Sequence, residues 1–156
     1  MKNLDRRDFF VALSAFAAMG TVSANGQAVA GGAAKVLSES MAFPYDKLPV
    51  HQSANGGASR AVIQGVLATG EHVEVHETTL PPGQMPHPPH KHRHSEFMMI
   101  REGLVEFNNN GTMERVGPGG VIFAASEVMH GLTNVGTVNA NYFVLAIGVE
   151  SRATPV

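Results

Sequence analysis

The chain contains no cysteine. That absence excludes disulfides, thiolate metal ligands, a cysteine nucleophile and a lipid-modified cysteine, so any bound metal must rest on nitrogen and oxygen donors. Clustered positive charge is also missing: beyond the first ten residues no run of Lys or Arg occurs, and net charge is −2 with a pI near 6.4. Nucleic-acid binding needs grouped cations to displace phosphate counterions, so that class of partner is excluded. Helical periodicity of useful length is absent, and no internal repeat recurs at the spacing of about 20–50 residues typical of solenoids.

What is present points to one β-rich domain. A chain of 156 residues with 44% hydrophobic and 15% charged residues suits a single compact core. Seventeen glycines and nine prolines would break helix interiors but build turns.

The first thirty residues read as an export signal rather than as part of the fold. Arg6-Arg7 precedes an apolar run, Phe9 to Met19, followed by small residues. The stretch resembles a twin-arginine signal, departing from that pattern at Asp5 and Phe10; cleavage follows either Ala24 or Ala30. The run is too short to cross ~30 Å of hydrocarbon, so no permanent membrane anchor is expected. The implied organisation is an export signal over 1–30, a linker over 31–39, a β-barrel over 40–150 and a tail over 151–156. The expected location is the periplasm or the exterior.

Short runs bounded by turns follow. Ser40–Tyr45 is a candidate edge strand and Arg60–Leu67 a strand; Glu71–Glu77 alternates polar and apolar with period two. Further strands are expected at Phe97–Arg101, Leu104–Phe107, Thr112–Val116, Val121–Ala124, Gly131–Asn134 and Ala140–Ile147. Asn110-Gly111 between two of them is a strong hairpin signal, since both residues accept positive φ. Eight or more short strands imply an all-β sandwich or barrel.

Within this pattern, ten residues hold His87, His90, His92, His94 and Glu96. Imidazoles and a carboxylate without sulfur suit one divalent transition metal: Mn, Fe, Ni, Cu or Zn. Three or four such ligands leave a coordination position for water, oxygen or substrate. On a continuous strand, His90 and His92 would share a face, as would His94 and Glu96.

These residues resemble the first motif of the cupin family, G-x5(or 6)-H-x-H-x3(or 4)-E-x6-G, from Gly83 through His90, His92 and Glu96 to Gly103. The second motif, G-x5-P-x-G-x2-H-x3-N, falls on Gly119, His130 and Asn134, with Ala125 in place of Pro and Glu127 in place of Gly. The resemblance covers about residues 60–147. It implies a single-domain cupin β-barrel, a double-stranded β-helix or jelly roll, with His90, His92, Glu96 and His130 as metal ligands. His94 is then assigned to the surroundings of the site, and His87 to its mouth. Gly83, Gly103 and Gly119 are turn corners.

If Val73 and Val75 point into the barrel, His72 and His76 face solvent; His51 is structural or exposed. Met98, Ile100 and Leu132 are expected inward, giving an apolar, Met-lined cavity. On the last strand, either Phe143, Leu145 and Ile147 or Tyr142 and Val144 form the inner face. The resemblance implies a metal-dependent enzyme of a small apolar or aromatic substrate, similar to quercetin-dioxygenase-like cupins. The alternatives are an oxygen-independent lyase, isomerase or hydrolase, and a non-catalytic module binding a metal or small ligand. Glu77, Glu127 and Arg101 are the candidates for a second acid or base. A homodimer is expected by family analogy.

Overall fold

The computed structural model describes residues 35–148. The export signal, with Arg6-Arg7 and both cleavage positions, lies outside the described residues, as does the 151–156 tail. Among the described residues there is no α-helix, and no helix long and apolar enough to cross a membrane.

Among the described residues, ten strands form two sheets: β1 (Val36–Leu37), β2 (Val50–Gln52), β3 (Ala58–Leu67), β4 (His72–Leu80), β5 (Ser95–Glu102), β6 (Val105–Asn109), β7 (Thr112–Val116), β8 (Val121–Ala124), β9 (His130–Asn134) and β10 (Ala140–Gly148). The larger sheet runs β1-β3-β4-β10-β5-β8 with β2 also on β3; the smaller runs β7-β6-β9. Leu80, Met98, Ile100, Val105, Phe107, Ile122, Leu132, Tyr142 and Val144 fill the space between them. This is the all-β jelly roll that strand spacing and motif offsets imply.

Local chemistry sets the corners. Asn110 and Gly111 adopt φ of 49° and 94° and close β6 onto β7, with Asn109 opposite Thr112. Gly103 has φ of 80°, and a Cβ there would lie 2.7 Å from Ala140 Cα, so this turn excludes any side chain. Gly83 and Gly119 also have positive φ. Asn134, fully buried, donates from Nδ2 to the Leu80 and Val138 carbonyls at 2.7 and 2.8 Å, while its Oδ1 accepts from Gly136 N–H. The second motif's Asn thus ties β9 to the end of β4.

Two expectations near the N-terminus are corrected. Ser40–Tyr45 is not a strand: Pro44 caps a 3-10 turn at Tyr45–Lys47, and β2 begins only after Pro49. The expected linker over 31–39 carries β1, which pairs in parallel with β3 through Val36 opposite Val66. Leu37 lies against Gly65, where a Cβ would come within 2.8 Å of its Cγ. The early segment therefore covers the outer side of the larger sheet.

That cover reverses one face assignment. Directly paired residues in an antiparallel sheet share a face. Across one row Glu74, Ala146, Glu96 and Ala124 are neighbours, and across the next His76, Val144, Met98 and Ile122. Val144, Met98 and Ile122 are core residues, so His76 and Glu74 lie on the inner face and Val73, Val75 and Glu77 on the outer. On β10 the inner set is Tyr142, Val144 and Ala146. Met98, Ile100 and Leu132 point inward as expected, Met98 as packed core filler.

Glu77 and Arg101 accordingly do not serve the barrel interior. Glu77 meets Arg60 at 3.1 Å and Arg101 at 3.0 Å on the outer face, and both guanidiniums stack on the Tyr45 ring at 4.7 and 5.1 Å. Elsewhere on this face Phe97, Met99, Val121 and Phe123 are exposed beside the edge strand β8. His51 sits exposed on β2.

Candidate metal centre

The two motifs meet through the backbone. His90 N–H donates to the His130 carbonyl at 2.9 Å and His130 N–H to the His90 carbonyl at 2.8 Å, an isolated antiparallel bridge. His90 and His92 are not on a continuous strand, since regular pairing starts only at Ser95. Pro86, Pro88 and Pro89 remove backbone donors there, so a loop presents both rings. A second tie, Glu127 N–H to the His92 carbonyl at 2.8 Å, holds that loop against the β8–β9 turn.

The rings of His90, His92 and His130 stand in a near-equilateral triangle, with centroids 5.0, 4.8 and 4.8 Å apart. Glu96 faces it: Oε1 lies 3.1 Å from His92 Nε2 and Oε2 lies 3.7 Å from His130 Nε2. His94 stacks on His92 at 3.6 Å and its Nε2 lies 3.1 Å from Glu96 Oε1. His87 packs edge-on against His90 at 4.1 Å. Of the four residues expected as ligands, all are brought together; His94 and His87 flank them.

Hydrogen bonds fix which nitrogens are available. His92 Nδ1 donates to the His94 carbonyl at 2.8 Å and His130 Nδ1 to the Val128 carbonyl at 2.9 Å, which leaves a lone pair on each Nε2. Those two Nε2 atoms and His90 Nδ1 are buried with no hydrogen-bond partner; the His92 contact to Glu96 is close but misaligned for one. Unpaired buried nitrogens cost free energy unless something fills the point on which they converge. This donor set fits a metal ion. Two overlapping groups have the required proximity, His90/His92/His130 and His92/His94/Glu96, with donor atoms within 4.8 Å of one another.

Electrostatics prepare the same point for a cation. Burial, and then the neighbouring imidazoles His87, His130 and His92, push His90 down to about 4, so its ring is neutral at pH 7. Burial likewise lowers His87. Burial opposes ionisation of Glu96, but the facing imidazoles of His130, His92 and His94 outweigh it and hold the carboxyl well below the usual carboxylate range. His130 is pulled down by burial and raised further by Glu96 and the Val128 carbonyl.

A family model described as a cupin domain matches residues 76–146. The fold is that of a single-domain cupin β-barrel. Solved structures with the same fold include an RmlC-like cupin from Shewanella frigidimarina (18% identity, TM-score 0.59, 73% of this chain and 95% of that one). KdgF from a Halomonas species aligns at 16% identity and TM-score 0.60, over 72% and 97% of the two chains. The polyketide cyclase RemF from Streptomyces resistomycificus aligns at 18% and 0.57, over 73% and 83%. At these identities the likeness concerns the fold. No curated protein matches the chain.

The cupin motif places Gly where this chain has Glu127, and the backbone shows why. Glu127 has φ of 60°, a left-handed conformation that strains a residue with a Cβ. Glu127→Gly should therefore raise stability by about 0.5–1 kcal/mol, the relieved strain exceeding the entropy added to the unfolded chain. Thermal denaturation reads it as a gain of a few degrees; a loss would show that the Glu side chain stabilises this turn.

Proposed function

We propose that the cupin domain holds one divalent transition metal through His90, His92, Glu96 and His130, and acts as a dioxygenase-like enzyme on a small molecule. The observation that carries this reading is the convergence of three unpartnered buried imidazole nitrogens on one carboxylate. The ion would supply Lewis acidity at the barrel mouth and, where redox-active, a route for electrons to oxygen. Backbone bridging of His90 to His130 keeps the donors in place, and the two carbonyl-bound Nδ1 atoms keep the rings in the ligating tautomer. The apolar residues around Met98 exclude water from one side.

The test is anaerobic loading with iron or manganese, followed by oxygen uptake and product analysis on flavonols, diketones and catechols. Uptake matched by product is the expected result. Stoichiometric metal with no uptake from any substrate would overturn the oxygenase assignment.

A second reading, an oxygen-independent lyase or isomerase, is favoured by the ionisable pair Glu74–His76 on the inner face. RemF, a similar fold, is a cyclase. Turnover that proceeds equally well without oxygen would select this reading.

A further inference from the structure

We propose that Glu74 and His76 form a proton-accepting pair that faces the same barrel mouth as the metal ligands and takes a proton from the bound small molecule. The inference rests on the metal reading above but deepens it, since either reaction on an enolisable substrate needs a base. Both oxygens of Glu74 lie against His76 Nδ1, at 3.0 and 2.9 Å. A carboxylate so placed holds the proton on Nδ1 and directs the lone pair of Nε2 outward as the basic atom. The side chains are 25% and 21% exposed, so the pair is neither sealed in the core nor spread over the outer surface.

Position decides what the pair can reach. Glu74 and Glu96 stand in one row on the inner face with only Ala146 between them. Two strand spacings separate their backbones by roughly 10 Å. The intervening side chain is a methyl group, so no bulky side chain stands between the two carboxylates. His76 stands one row further along, beside the apolar core residues Val144 and Met98. A purely structural role fits less well. The inner-face neighbours of His76 on β10 and β5, Val144 and Met98, are apolar, and an ion pair costs desolvation beside them without strengthening the packing.

The substrate class is a small hydroxy- or keto-compound with an oxygen for the ion and an acidic C–H next to its carbonyl. In the step proposed, the C–H bond breaks, its electron pair remains on the substrate as an enolate, and the proton moves to His76 Nε2. Glu74 compensates the imidazolium charge. Return of the proton to carbon or oxygen restores the neutral imidazole beside the Glu74 carboxylate, so no oxidant or reductant is consumed.

Hydroxyacetone in D2O, with the metal-loaded protein, provides the probe, and proton NMR follows loss of its C–H signals. Wild type should accelerate exchange. His76→Gln should reduce that exchange at least 100-fold and Glu74→Gln about 10-fold, through kcat rather than KM. Elemental analysis should show unchanged metal in both variants. Equal exchange by His76→Gln and wild type, or no exchange by metal-replete wild type, overturns the pair as a base while leaving the metal centre standing. Absence of metal from wild type brings down both.

Discussion

Glu96→Gln should leave a folded barrel that retains less than about a tenth of the metal bound by wild type after dialysis. Among the described residues, Glu96 is the sole anionic donor facing the His90, His92 and His130 triangle. An amide of the same shape removes the charge and most of the affinity for a divalent ion. Losing an outer-shell partner typically costs 10–100-fold in metal affinity, and losing an anionic ligand should cost more than the upper end of that range. His94→Gln supplies the calibration. Its Nε2 touches Glu96 Oε1 and its ring stacks on His92, so it should weaken metal binding by about 10–100-fold without abolishing it. Elemental analysis and calorimetric titration of both variants separate the two overlapping donor groups. Stoichiometric metal in Glu96→Gln, or a larger loss in His94→Gln, would reassign the ligand set.

Glu77→Gln should lower stability by about 3 kcal/mol, or roughly 10 °C in Tm, without changing metal content. The carboxylate is 0% exposed between Arg60 and Arg101, themselves 19% and 40% exposed. Removing one partner of a buried pair costs about 3–5 kcal/mol because the remaining charge stays desolvated. Here the two guanidiniums retain some water, which puts the cost at the lower end. The pair also clamps Tyr45, so the 3-10 turn at Tyr45–Lys47 should loosen and protease cleavage near it should accelerate. A melting curve superimposable on wild type would mean that the cluster merely decorates the outer face.

Much of this architecture was readable from residue order. Asn110-Gly111 gives its hairpin because both positions tolerate positive φ, and the motif offsets bring His130 to the first-motif ligands although a long stretch of chain intervenes. The failures share a cause. Alternation along β4 reports two chemically different faces but not which one is inside, and the apolar Val73 face is covered by Leu37 and its neighbours. A segment read as linker thus supplied the missing apolar partner, and His76 turned inward. The same limit applied to Glu77: burial of a carboxylate outside the barrel depends on Arg60, Arg101 and Tyr45 converging from separate elements. Pro86, Pro88 and Pro89 remove backbone donors just ahead of the ligands, which is why a loop, not the continuous strand assumed for a shared face, carries His90 and His92.

The reciprocal bond between the His90 and His130 backbones makes folding and metallation separable events. Because main-chain pairing already holds the nest of imidazoles together, a chelator should empty it without unfolding the protein, and resupply should refill it within one native ensemble. Occupancy then follows availability: wherever several divalent ions compete freely, copper and zinc displace manganese and iron by intrinsic affinity. The cell's choice of where and when to load the vessel, more than the vessel's own shape, would decide its chemistry.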